Sequence, residues 1–67
     1  MRSASQNKPL TPEKLREIRK SAKLSQSELA HKFGLKNGRT IRRYEAGDFI
    51  PPGPVLMLYH MLREGKL

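Results

Sequence analysis

Residues 24–47, LSQSELAHKFGLKNGRTIRRYEAG, hold two helix-start signals, two glycine stops and a cluster of three arginines. Ser25, with Glu28 three residues on, has the form of a capping box, and Leu24 is placed to staple onto Leu29 across it. The spacing predicts a helix over 26–33 with Leu29, Ala30 and Phe33 facing inward, ended by Gly34 as the left-handed residue. The small side chain of Ala30 lets a following helix approach closely. Leu35 reads as a buried turn residue, and Asn37 as the N-cap of a second helix over 38–46 that stops at Gly47. At about 100° per residue, Ile41, Tyr44 and Glu45 share one side of this helix, while Arg39, Arg42 and Arg43 crowd into an arc on the other.

On the N-terminal side, Thr11 is a good N-cap, Pro12 suits the first helical position, and Leu10 can staple onto Leu15. A helix over 12–22 is expected, with Leu15, Ile18 and Ala22 turned inward. Residues 1–9, MRSASQNKP, carry only Arg2 and Lys8 as charges and have nothing to bury, which reads as a disordered basic leader. On the C-terminal side, Asp48 to Pro54 includes three prolines and a glycine, a stiff connection that cannot continue a helix. Pro54 then opens a helix over 54–63 whose core stripe is Val55, Leu58, Tyr59 and Leu62. Leu56, Met57 and Met61 are apolar too but lie off that stripe. With no strand-like alternation, the expected fold class is all-α: residues 10–67 form one compact domain of four helices, with space for a short fifth.

Composition narrows the function. A domain near 60 residues buries only about 60% of the surface its unfolded chain exposes, so the core is thin. There is no cysteine, Asp48 is the only aspartate, and His31 and His60 are isolated, so neither a disulfide, a metal nor another cofactor is expected. A net charge of +8 puts polyanions first among partners. Charge alone does not choose between DNA, RNA and a membrane surface. No apolar run approaches the roughly 18 residues of a membrane span, and the first residues lack the apolar stretch of a signal peptide, so a cytoplasmic, nucleoid-associated protein with no membrane partner is expected. RNA is disfavoured because A-form major grooves exclude a helix and few aromatics are available for stacking. Catalysis is disfavoured as well: no nucleophile and base pair, carboxylate dyad or phosphate-cradling glycine loop is evident, nor is a small-molecule ligand.

Two helices joined by a short turn, the second with a core side and a cationic side, are what a helix-turn-helix requires to place one helix in the major groove. Arginine recognises guanine O6 and N7 by paired hydrogen bonds and also binds phosphate, so Arg39 and Arg43, one turn apart, can read neighbouring bases. Arg42, at the edge of the arc, suits the backbone. A merely solvated basic face is the alternative that these residues leave open.

LSQSELAHKFGL followed by TIRRYEAG resembles the lambda-repressor-like, XRE-type helix-turn-helix family in its Leu-Ser-Gln start, its Glu-Leu-Ala, its turn glycine and its closing Glu-x-Gly. The similarity spans roughly Leu15 to Leu62. It implies that Gln26 bonds a phosphate and braces the recognition helix. It also implies base-reading positions at Gly38, Arg39 and Arg43. Gly38 has no side chain to contribute, which leaves Arg39 and Arg43 with Thr40 and Asn37 as auxiliaries, and Arg42, Lys36 and Ser27 join Gln26 at phosphates. Arg19 and Glu45 match a partly buried ion pair that clamps two helices, and Tyr44 matches a core position. Between Gly34 and Ile41 the chain has six residues, LKNGRT, where the family pattern has five, an extra residue that can rotate or shift the third helix. The segment IPPGPVLMLYHML resembles that of very short phage and bacterial regulators, the anti-CRISPR-associated repressors of phages among them.

A single recognition helix covers about half a site, so an inverted-repeat operator and a homodimer are implied, with Leu56, Met57 and Met61 as the pairing surface. The resulting expectation is a dimeric repressor of a small operon that includes its own gene. The rival expectation is an antitoxin-like module that docks another protein through its Met-rich last helix, with DNA binding secondary.

Overall fold

The computed structural model describes residues 10–67, and the expected leader over 1–9 lies outside the described residues. Four helices follow in order: α1 (Pro12–Ser21), α2 (Gln26–Lys32), α3 (Gly38–Ala46) and α4 (Gly53–Arg63). Neither a strand nor a fifth helix occurs among the described residues.

Three of the four starts are fixed by side-chain caps. Thr11 Oγ1 accepts from the Lys14 amide at 3.1 Å with Pro12 opening the helix. At α2 the capping box is complete: Ser25 Oγ accepts from the Glu28 amide at 3.0 Å, and Glu28 Oε1 accepts from the Ser25 amide at 2.8 Å. Asn37 Oδ1 accepts from the Arg39 amide at 2.9 Å. The start of α4 has no side-chain cap. It begins at Gly53, one residue before the expected Pro54, because a proline at the second helical position also removes an amide that the first turn leaves unpaired. The first backbone bond of α4 runs from the Leu56 amide to the Pro52 carbonyl at 2.9 Å.

All four helices end in the same backbone turn, in which an amide bonds a carbonyl five residues back across one left-handed residue. These bonds are Leu24 to Arg19 (3.3 Å), Leu35 to Ala30 (2.8 Å), Asp48 to Arg43 (3.0 Å) and Lys66 to Met61 (2.8 Å). The left-handed residues are Lys23, Gly34, Gly47 and Gly65, with φ of 60°, 76°, 85° and 77°. Ala22 and Phe33, expected as the last helical residues of the first two helices, serve instead as their C-caps. The reversal takes one residue more than the apolar spacing suggests. Lys23 carries a side chain in a conformation that costs a non-glycine residue about 1–2 kcal/mol.

The core is Leu15, Ile18, Leu29, Ala30, Phe33, Ile41, Tyr44, Val55 and Tyr59. Pro51 is buried as well. The rings of Phe33 and Tyr59 meet edge to face at 5.0 Å between centroids, which ties α4 to the end of α2. Ala22, Leu35, Leu58 and Leu62, expected inside, are only half-buried. So small a domain buries only part of its apolar surface, and these residues sit at the margin of the core. Helix α3 packs most extensively on α2 and next on α1, and α4 packs on α1. The middle of the molecule therefore presents α3 with its inner side covered and its outer side open.

Candidate nucleic-acid interface

The inner side of α3 is anchored by a charged cluster. Arg19 Nε donates to Glu45 Oε2 at 2.6 Å and Arg19 Nη2 to Glu45 Oε1 at 3.1 Å, while Arg19 Nη1 donates to the Leu24 carbonyl at 3.0 Å. Gln26 Nε2 completes the set by donating to Glu45 Oε1 at 3.2 Å. Side chains from α1, α2 and α3 thus converge on one carboxylate. Both ions are largely dry, with side-chain exposures of 12% for Arg19 and 6% for Glu45. The hydrogen bond to Glu45 raises the pKa of Arg19 above its ordinary value, outweighing the opposing effect of burial. Shared bonds of this kind fix the rotation of α3 about its own axis more narrowly than apolar packing can.

With Ile41, Tyr44 and Glu45 turned inward, Arg39, Arg42 and Arg43 are exposed on the opposite side. None of them, nor Lys36 in the preceding turn, forms an ion pair among the described residues. Their charges are free to meet an external anion. Arg39 and Arg42, together with Gln26, Ser27, Asn37 and Gly38, line an open recess of about 560 Å³ between the starts of α2 and α3. A backbone carrying phosphates fits such a recess because every charged side chain lining it is cationic.

The two helix starts can meet because residue 38 is glycine. A Cβ placed there would lie 2.9 Å from the Ser27 amide nitrogen and 3.0 Å from both the Gln26 carbonyl carbon and Ser27 Oγ. Two of these three atoms are backbone and cannot turn aside. Gly38 therefore sets the separation of α2 from α3, a role that its lack of a base-reading side chain conceals. A glycine at the first position of a helix, where many residues are better tolerated, is the sequence signal for such a close approach.

The remaining predicted site residues are placed as follows. Asn37 is exposed, but its side-chain oxygen is occupied in capping α3. Thr40 is half-buried and Ser27 is exposed beside Gly38. On α4, Met57 is 63% exposed, whereas Leu56 and Met61 are half-buried and Leu56 packs on the core. These three do not form one uniformly open face. Apolar exposure comparable to that of Met57 also occurs at Phe49 (52%) and Ile50 (77%), which are not among the predicted site residues. The signal for them was an apolar pair set inside a proline-rich loop, with no place in any helical stripe.

Among the described residues, no three potential metal ligands cluster and no helix is long and apolar enough to cross a membrane. No curated protein and no solved structure matches the chain. The helix-turn-helix family model matches residues 15–59, well over half of the chain, from the first core leucine of α1 to the buried tyrosine of α4. With α2, the turn and the outward cationic side of α3 all inside that match, the chain belongs to the XRE-type, lambda-repressor-like helix-turn-helix family of DNA-binding transcription regulators.

Proposed function

We propose that this chain is a sequence-specific repressor that binds double-stranded DNA as a homodimer, with α3 in the major groove. The observation that carries the proposal is the division of α3: one side is locked to α1 and α2 through Glu45, and the other presents three unpaired arginines. Arg39 and Arg43 read base edges, assisted by Thr40 and by the free amide group of Asn37. Gln26, Ser27, Lys36 and Arg42 hold phosphates around the recess between the helix starts. Gln26 braces α3 with one amide hydrogen and has a second hydrogen left for a phosphate oxygen.

A second copy supplies the other half-site, which makes an inverted repeat the natural operator. Pairing runs through the α4 surface around Met57, flanked by Leu56 and Met61. Occupancy of a promoter, including that of its own operon, then blocks transcription without any chemistry. The setting is a small phage or bacterial operon, such as those governed by anti-CRISPR-associated repressors.

The test is selection of bound duplexes from a random pool, followed by titration of wild type and Arg39→Ala on the selected site and on unrelated DNA. A two-fold symmetric site is expected, with a log-log salt slope of about −7 if roughly eight phosphates are engaged. Arg39→Ala should cost about 1–3 kcal/mol on the selected site and relax one base position. Equal losses on both DNAs would reduce Arg39 to a phosphate contact, and absence of any preferred sequence would overturn the proposal.

A further inference from the structure

Of the three outward arginines, Arg43 alone rests on an aromatic ring: its Cζ lies 5.5 Å from the centroid of Phe49. The contact follows from how α3 ends. Gly47 adopts φ of 85°, the Asp48 amide bonds back to the Arg43 carbonyl at 3.0 Å, and the chain folds over so that the next residue, Phe49, comes beneath the Arg43 side chain. In this type of helix end an apolar contact often joins the residue three before the cap to one just past the turn. Here the earlier partner is a cation, and the ring takes the place of the aliphatic contact.

A carboxylate partner would also orient Arg43, but it would occupy the guanidinium N–H groups. A ring face restrains the cation and leaves its five donors unused. No ion pair is formed by Arg43 among the described residues, although Asp48 borders the same surface recess as Arg42 and Arg43. Phe49 itself is 52% exposed and is not part of the hydrophobic core. Restricting a long side chain before it binds removes part of the ordering cost that binding otherwise carries.

We infer that Phe49 is a positioning residue for base recognition: its ring holds the Arg43 guanidinium in place with all donors free for a guanine edge. The inference rests on the proposed reading of Arg43 as a base contact. Phe49 acts through Arg43 and touches no base.

The experiment uses the full chain and a duplex selected by the wild-type protein, together with its single-base-pair variants and an unrelated duplex. Phe49→Ala should weaken binding to the selected duplex by about 2- to 5-fold, the size of an exposed cation–π contact. The loss should be confined to the base pair whose identity Arg43→Ala makes irrelevant, with the unrelated duplex and the salt slope unchanged. Phe49→Leu keeps the apolar bulk without the ring and should behave like Phe49→Ala, while Phe49→Tyr should restore the wild-type preference. In the Arg43→Ala background, Phe49→Ala should add nothing. If Arg43→Ala relaxes a base position and Phe49→Ala does not, or if Phe49→Leu binds like wild type, the positioning role is overturned and the base contact stands. If Arg43→Ala weakens selected and unrelated duplexes alike, the base contact itself fails and the positioning role with it.

Discussion

The cluster at Glu45 invites a perturbation whose size can be worked from its geometry. Glu45→Ala removes the acceptor of three hydrogen bonds and leaves the Arg19 guanidinium, 12% exposed, with only the Leu24 carbonyl as partner. Stranding one member of a buried pair costs about 3–5 kcal/mol. A domain of this size has about 3–10 kcal/mol in total. Glu45→Ala is therefore expected to remove about a third or more of that stability, and Arg19→Met should do the same by stranding Glu45. Replacing both together, as Arg19→Met with Glu45→Leu, removes the charges and refills the volume, so most of the loss should return, short of about 1 kcal/mol for the Gln26 amide that loses its acceptor. Urea unfolding followed by helical circular dichroism measures this, with sulfate added to give the single variants a folded baseline. Single variants that each cost under about 1 kcal/mol, or a double variant as damaged as the sum of the two, would refute the view of Glu45 as a dry clamp on three helices.

Gly38→Ala brings a Cβ to 2.9 Å from a backbone nitrogen, against an ordinary separation of about 3.5 Å, so α3 must retreat from α2 by roughly 0.5 Å. Overpacking costs about 1–3 kcal/mol, partly offset by the lower unfolded-state entropy of alanine. Thermal unfolding should show a modest loss and a mobility-shift titration a larger one, because the proposed phosphate and base contacts would no longer fit one duplex; unimpaired binding would dissociate Gly38 from recognition. Burial, more than the nearby charges of Glu45 and Tyr44, holds the Tyr59 phenol well above its ordinary pKa near 10, and burial raises that of Tyr44 too. Both remain protonated in the fold at pH values where the unfolded chain ionises. Stability is therefore complete below about pH 10 and falls above it, by at most about 1.4 kcal/mol per pH unit for each tyrosine. Because the Tyr59 hydroxyl is buried without a partner among the described residues, Tyr59→Phe should leave stability at pH 7 equal or higher and should make that alkaline slope shallower; a large loss at pH 7 would show that the hydroxyl is bonded.

The helix starts were legible because caps are local: Thr11, Ser25 with Glu28, and Asn37 each satisfy amides within three residues of themselves. The all-helical class was legible for the same reason, through apolar residues repeating at helical spacing. Gly38 shows the other side. Its importance lies in a contact with Ser27, eleven residues away, and nothing in the residues around 38 states which backbone will approach. Phe49 was hidden similarly, since only the left-handed turn at Gly47 brings its ring under Arg43. Half-burial of Leu58 and Leu62 also depends on how much surface α1 and α4 share, which a periodic stripe does not encode.

The repeated ending of the helices has a consequence for how the chain assembles. Each reversal is specified by residues within one turn of it, so no corner waits for a distant segment to arrive. Helical turns form in about a microsecond or less, while a ribosome adds about 5–20 residues per second. Every bend can thus be sampled before the next helix is synthesised, but rods of 7–11 residues are marginal alone, so it is their mutual docking that makes each one persist.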